Sequence, residues 1–173
     1  MARKISLREF QESVLAKLQS LASSDTASPS KLGVQIGSQF WLVNLSDISE
    51  ALPIPKLTSV PLAQSWFCGA ANFRGNLYGI VDFSHFLGDV PTQFGLDCRL
   101  LLVHQKFSVN CGIVVNRMLG LRNPEKMRRM EIAGEAPPWV AAEYQDEAGN
   151  LWRELNMSAL TGNDRFLNVG LTF

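Results

Sequence analysis

Residues 66–88 constrain the fold more than any other stretch of this chain. Two apolar runs with β-strand propensity, residues 66–73 and 77–83, flank a polar break at Arg74-Gly75-Asn76. A glycine between two such runs predicts a β-hairpin, because glycine takes the positive φ that a tight turn needs. The sequence therefore predicts a hairpin whose tip carries Arg74.

The end of the second run predicts a corner followed by a short helix. Asp82 is suited to accept backbone N–H bonds at the N-terminus of a helix over residues 83–87. Gly88 follows as a left-handed helix stop. A hairpin, a corner and a short helix together are typical of a small β-barrel rather than of a layered α/β protein.

Arg74 is the first candidate functional residue. It is the one arginine or lysine between Ala63 and Gly88, and a hairpin tip is within reach of a partner. Exposed charged residues are more often simply solvated, so composition alone favours an ordinary turn residue. Both interpretations of Arg74, a partner-binding residue and a solvated turn residue, stay open on composition alone.

Composition excludes several classes of protein. The 173 residues suit one domain, and 16 basic and 16 acidic residues cancel, so no overall field attracts nucleic acid or anionic lipid. The apolar runs are too short to span a bilayer, and the N-terminus has no apolar segment typical of a secretory signal. The odd number of cysteines, Cys68, Cys98 and Cys111, predicts buried free thiols in a reducing cytoplasm.

The N-terminal region predicts a helix over about residues 7–22. Ser6 and Glu9 have the spacing of a capping box, and one helical face carries an apolar stripe formed by Leu7, Phe10, Val14, Leu18 and Leu21. We expect the stripe to pack on the body of the protein; docking of a partner or of a second copy is the alternative. Residues 23–31, rich in serine, predict a flexible linker.

From residue 32 onward the pattern is that of short strands. Apolar residues alternate with polar ones in several segments that Gly, Pro and polar turns separate. The polar region 124–138, with a basic cluster at Lys126, Arg128 and Arg129, is predicted to be a solvated loop. Many short strands at regular spacing predict a mainly β domain over residues 32–173, either a barrel or a sandwich.

The sequence contains few residues in a pattern typical of a catalytic or cofactor-binding site. Asp82, Ser84 and His85 are the residue types of a hydrolase triad, but neighbours in sequence do not take the required geometry. Neither a metal-binding cysteine and histidine pattern nor a phosphate-binding glycine loop is present, so we expect no cofactor and no metal. A well-patterned chain of this kind is most simply a binding module.

The motif Trp66-x-x-Gly69-x-x-Asn72-x-Arg74-Gly75, followed by Gly79-Ile80-Val81-Asp82-Phe83 and Leu87-Gly88, resembles the central signature of the CheW family. The likeness extends from about Leu32 to the C-terminus. Within the family, the N-terminal helix and the tail motifs Trp152–Leu160 and Asp164–Leu167 resemble those of the members found in type IV pilus systems. The chain departs from the common pattern at Gly79, where proline is usual, and at Asn116, where aspartate is common.

The resemblance implies a fold, partners and a site. The fold would be two intertwined five-stranded SH3-like barrels, here with an added N-terminal helix. The function would be that of a cytoplasmic, non-catalytic adaptor, recruited to membrane receptor arrays without inserting into the membrane. Its partners would be the signalling tip of a methyl-accepting chemoreceptor and a CheA-type histidine kinase. The implied partner-binding residues are Glu50, Gly69, Asn72, Arg74, Gly75 and Asp82.

Glu50 lies where CheW-type proteins carry an acidic residue, and we predict that it pairs with Arg74 and fixes the hairpin tip. Two other functions stay open at this point. A small barrel that binds nucleic acid would show salt-dependent binding to oligonucleotides. A hydrolase using Asp82, Ser84 or His85 would lose activity when His85 is replaced.

Overall fold

The computed structural model describes residues 7–24 and 30–171. Helix α1 spans Leu7–Ser24, so the predicted helix is confirmed and continues into the region predicted as linker. Lys31, predicted as linker, begins the first strand instead. Ser6 of the predicted capping box and residues 25–29 of the predicted linker lie outside the described residues.

Strands dominate the rest of the described chain. The strands are β1 (Lys31–Ile36), β2 (Gln39–Asn44), β3 (Ile48–Leu52), β4 (Phe67–Phe73), β5 (Asn76–Asp82), β6 (Arg99–Val103), β7 (Cys111–Val115), β8 (Arg117–Arg122), β9 (Arg128–Met130), β10 (Val140–Gln145) and β11 (Leu151–Leu155). Three short helices complete the fold: α2 (Phe83–Phe86), α3 (Met157–Thr161) and α4 (Asp164–Leu167).

The strands form two sheets, and the chain passes from one sheet to the other and back. One sheet has the order β8-β1-β2-β11-β10-β9, and the other has the order β3-β6-β7-β5-β4. The chain begins in the first sheet, builds the second with β3 to β7, and returns through β8 to pair with β1. The predicted mainly β fold with two intertwined units is thus confirmed; one sheet has the predicted five strands and the other has a sixth, β9.

The additional strand corrects the prediction for the basic cluster. Arg128 and Arg129 lie in β9, an edge strand that pairs with β10, and both side chains are exposed. Lys126 ends a 3-10 turn in which the Asn123 side-chain oxygen accepts the Glu125 N–H at 3.0 Å. A strand of three residues is too short to show an alternating pattern, so the sequence contains no signal for it.

The five-stranded sheet is buried on both faces. In β6, Leu101 and Val103 belong to the main core, whereas Leu100 and Leu102 face a smaller apolar cluster with Tyr78. Burial on both faces explains why β6 and β7 are continuous apolar runs rather than alternating ones. The main core also contains Trp66.

An aromatic cluster fixes the corner after the hairpin. The ring of Phe86 in α2 lies 5.1 Å from Trp66, 5.2 Å from Trp139 and 5.4 Å from Phe166, measured between centroids. The Nη2 atom of Arg165 in α4 donates to the carbonyl oxygen of Phe86 at 2.6 Å. The C-terminal helices therefore hold α2 and, through it, the end of β5.

The cysteines are free, as predicted, and two of the three are buried. Cys98 and Cys111 are buried, whereas Cys68 is partly exposed. Burial raises the pKa of Cys111 to about 12, and burial together with the charge of Asp82 raises the pKa of Cys68 to about 11. Both thiols stay protonated near neutral pH and are weak nucleophiles.

Candidate functional site

The site is built on the turn between β4 and β5. Phe73 pairs with Asn76, which leaves Arg74 and Gly75 as the two loop residues. Both have positive φ, 50° for Arg74 and 83° for Gly75, as a type I′ turn requires. The side-chain oxygen of Asn72 accepts the Gly75 N–H at 3.1 Å, so Asn72 supports the turn.

Arg74 forms the predicted pair with Glu50. Its Nη2 atom lies 3.3 Å from the Glu50 Oε1 atom. The Arg74 side chain is 60% exposed and the Glu50 side chain is 10% exposed, so the carboxylate is fixed in the protein while the guanidinium stands outside. The guanidinium also lies over the ring of Phe73, 5.3 Å from its centroid. The tip thus presents a cation whose position is defined by its neighbours.

A second carboxylate binds the same guanidinium nitrogen. Glu12 of helix α1 lies 2.8 Å from the Arg74 Nη2 atom through its Oε1 atom. Sequence reasoning missed this residue, because a glutamate on an amphipathic helix is usually a solvated side chain. The residue can be found only once the helix has been placed against the tip.

Two carboxylates and two guanidinium groups meet at the tip, since the Arg8 Nε atom also lies 3.4 Å from the Glu12 Oε1 atom. Burial, reinforced by a hydrogen bond with the Glu12 carboxyl group, raises the pKa of Glu50 to about 7. The same hydrogen bond, together with Arg74 and Arg8, lowers the pKa of Glu12. At mildly acidic pH Glu50 is therefore the protonated carboxyl group of the two and Glu12 the ionised one.

A small cleft adjoins the pair. Its volume is about 280 Å³, and its lining includes Glu50, Arg74, Tyr78 and His104. The lining combines one guanidinium, one buried carboxyl group, a phenol and an imidazole. This composition suits hydrogen bonding to a polar side chain beside the hairpin tip.

Gly69 supports the hairpin through its backbone conformation. Its φ is 131°, and a Cβ atom there would lie against the Thr58 carbonyl oxygen, far inside van der Waals contact. Thr58 and Ala70 exchange two backbone hydrogen bonds, of 2.8 and 2.9 Å. Gly69 is therefore required for the loop before β4 to approach the strand, and its predicted role in partner binding stays a prediction.

Asp82 is also a structural residue. It is buried, and its carboxylate accepts the N–H and the hydroxyl of Thr92, both at 2.7 Å, and the backbone N–H of His85 at 3.4 Å. The predicted helix cap is confirmed. The predicted role of Asp82 in partner binding stays a prediction, and it would act through the corner rather than by contact.

The residues of the hydrolase alternative are not arranged for catalysis. Ser84 is buried, and its hydroxyl donates to the Val90 carbonyl oxygen at 2.9 Å. The His85 ring lies 3.5 Å from the Ser65 hydroxyl, and Asp82 receives its backbone N–H rather than its ring. The nucleophile, base and orienting acid of a triad are thus engaged elsewhere.

A family model described as the CheW-like domain matches residues 31–164. The chain belongs to the CheW-like domain family. As a CheW-like protein it is a non-catalytic adaptor. Within the described residues, no helix combines the length and apolar character needed to cross a bilayer.

Relatives of this CheW-like chain are known by sequence and by structure. Protein PilI of Pseudomonas aeruginosa is 26% identical over 148 residues, which cover 82% of this chain and 80% of PilI. The crystal structure of the scaffolding protein TtCheW from Thermoanaerobacter tengcongensis matches with a TM-score of 0.63 at 12% identity, over 73% of this chain and 83% of TtCheW. At that identity the likeness shows the CheW fold.

The structure accommodates both departures from the common CheW pattern. The Gly79 N–H donates to the Asn110 carbonyl oxygen at 3.0 Å, a bond that proline could not make. The Asn116 side-chain oxygen accepts the Gly37 N–H at 2.7 Å, a bond that aspartate could accept equally. Neither position lies in the turn that carries Arg74.

Proposed function

We propose that this protein is an adaptor of a type IV pilus (twitching motility) chemosensory system. It joins the signalling tip of a methyl-accepting chemoreceptor to the CheW-like regulatory domain of a CheA-type histidine kinase. The CheW-like family and the relative named PilI support this proposal. The adaptor works in the cytoplasm at the receptor array, and it acts by placement, since it holds the kinase where the state of the receptor changes phosphotransfer.

The observation that carries the proposal is the exposed, supported Arg74. Arginine offers planar, charged N–H donors that match a partner carboxylate or backbone carbonyl. Glu50 and the type I′ turn fix the guanidinium before a partner arrives, which lowers the entropy lost on binding. Asn72 and Gly75 contribute by holding the turn, and Gly69 and Asp82 by holding the hairpin.

Co-purification with tagged full-length protein tests the proposal. A histidine kinase with a CheW-like domain is expected to be captured from the native cytoplasm together with a methyl-accepting receptor. Arg74→Ala should weaken kinase capture by about tenfold or more, the usual loss for an arginine at the centre of an interface. Glu50→Gln should weaken it less, because the guanidinium stays but loses part of its support.

Arg128→Ala is the matched control, since Arg128 is also an exposed arginine but lies on the edge strand of the other sheet. It should leave capture unchanged. Unchanged capture with Arg74→Ala, at an unchanged melting temperature, would overturn the role of Arg74. Failure to capture any kinase would overturn the adaptor function itself.

A further inference from the structure

Helix α1 reaches the hairpin tip with one largely polar side. The Arg8 guanidinium lies over the Phe73 ring, 4.9 Å from its centroid, and Glu12 binds Arg74. Leu15 enters the main core with 4% exposure, and the Gln19 Nε2 atom donates to the carbonyl oxygen of Leu45 at 3.3 Å. The four helix residues are spaced by four, three and four, so they lie on one side of the helix.

The contacts coincide with the surface assigned to the partner. Arg8 covers the aromatic ring beside the turn, and Glu12 takes the Arg74 nitrogen that also binds Glu50. A partner that approached Arg74 with a carboxylate would meet the Glu12 carboxylate already there. The helix and such a partner therefore compete for one guanidinium.

The helix is held weakly for its length. Among the α1 side chains that the structure describes, Leu15 is the buried one. Phe10 of the predicted apolar stripe is 58% exposed, and Val14 and Leu18 are only partly buried. The sequence predicts packing through this stripe, and the exposed Phe10 contradicts that prediction at its own position. The side chains of Leu7 and Leu21 lie outside the described residues. The contacts with the tip come from the neighbouring polar side of the helix. Exposed ion pairs such as Glu12–Arg74 add little to such docking.

We propose that helix α1 is an intramolecular occupant of the Arg74 surface, which an acidic side chain of the partner displaces. This inference rests on the adaptor function proposed above. Glu12 stands in for the partner carboxylate, and Glu50 remains bound to Arg74 in both states. Displacement frees the helix from the hairpin tip. Access to Arg74 then depends on how firmly the protein holds its own helix.

The test compares full-length variants for binding to the CheW-like regulatory domain of the kinase that co-purifies with the protein. Glu12→Gln removes the competing charge and should strengthen binding about two- to fivefold, the range that an exposed ion pair supplies. Gln19→Ala loosens the helix without changing charge and should act in the same direction.

Two controls separate this competition from effects of net charge and of helix substitution. Glu131→Gln makes the same change of charge at an exposed glutamate directly after β9, in the other sheet. Ser13→Ala alters an exposed neighbour of Glu12 on α1 without changing charge. Both variants should leave binding unchanged.

Amide hydrogen exchange of the free variants supplies a second measurement. Exchange in α1 should be faster in Glu12→Gln than in wild type and unaltered in Glu131→Gln. Unchanged or weaker binding by Glu12→Gln overturns the competition, and weaker binding would make Glu12 part of the docking surface. If Arg74→Ala does not weaken binding either, the role assigned to Arg74 fails as well. If the wild-type protein binds no such kinase domain at all, the proposed function fails instead, so the failures are distinguishable.

Discussion

The Arg74 backbone is left-handed, a conformation that costs a non-glycine residue about 1–2 kcal/mol. The turn tolerates this cost because Asn72 binds the Gly75 N–H and the strands on both sides are paired. Left-handed residues that the surrounding structure enforces are concentrated at functional sites. The conformation places the guanidinium at the tip of the hairpin, where a partner can reach it.

The raised pKa of Glu50 predicts that the stability of the protein depends on pH. Its pKa is raised from 4.5 to about 7, so between these values the folded protein holds a proton that the unfolded chain releases. Stability from this group therefore falls as pH rises from 4.5 to 7 and is constant above 7. The charged or titratable neighbours are Glu12, Arg8 and Arg74, with Tyr78 and His104 lining the cleft.

Glu50→Gln mimics the protonated state and should remove this dependence. Between about pH 5 and 7 the free energy of unfolding of wild type should fall relative to the variant, by on the order of 2 kcal/mol. Urea unfolding at several pH values measures the difference. Parallel curves for the two proteins would contradict the raised pKa.

Substitution of the two hairpin glycines by alanine should lower the free energy of unfolding by unequal amounts. Gly69→Ala places a methyl group against Thr58 and forces a φ of 131° on alanine, so it should cost about 3 kcal/mol. Gly75→Ala has a positive φ but no atom within 4 Å of the new methyl group, and it should cost about 1 kcal/mol. Equal losses in urea unfolding would contradict the close approach of Thr58.

Residues in a local motif could be predicted, and residues brought together by docking could not. The turn, the Asn72 support and the Asp82 cap depend on neighbours in sequence, so the pattern contains them. The Glu50–Arg74 pair came from the family resemblance. Glu12 escaped prediction because its role depends on the side of α1 that meets the tip, and helical periodicity indicated the other side.

At the scale of elements, the corner after β5 depends on one carboxylate. Asp82→Ala removes the cap of α2 and leaves the Thr92 N–H without its acceptor, so it should cost about 3 kcal/mol. Thr92→Val removes only the hydroxyl bond and should cost about 1 kcal/mol. Thermal unfolding measures both, and comparable losses would contradict the central position of Asp82.

Elements with a strong pattern were predicted close to their true bounds. The two strands of the hairpin and α2 follow from composition and turn chemistry. The β9 strand did not, because its polar residues have no buried face and only pairing with β10 makes them a strand. Packing of α1 through Leu15 was also invisible, since a single leucine does not form a stripe.

At the scale of the whole molecule, we expect α1 to open independently of the sheets. Of its described side chains only Leu15 is buried, whereas all five residues of β7 are buried. Amide exchange in α1 should be faster than in β7 by about a hundredfold or more, because local opening needs less free energy than global unfolding. Equal protection of α1 and β7 would show that the helix is part of the global cooperative unit.

The pairing of strands that are distant in the chain could not be predicted from the sequence. Local patterns give the number and position of strands, but the parallel pairs β5–β7 and β2–β11 join segments that no turn connects. Which strands become neighbours depends on the packing of the whole core. The family resemblance supplied the idea of two intertwined units, and the structure supplied the order of strands.

The pairing of β2 with β11 has a consequence for biosynthesis. Phe40 in β2 can pair with Trp152 in β11 only after Trp152 has been synthesised and has left the ribosome, more than a hundred residues later. Until then β2 has an open edge, and contacts so distant in sequence form slowly. A nascent chain halted before Leu151 would carry that unprotected edge into the crowded cell, so chaperones have the longest opportunity to act on this protein during synthesis rather than afterwards.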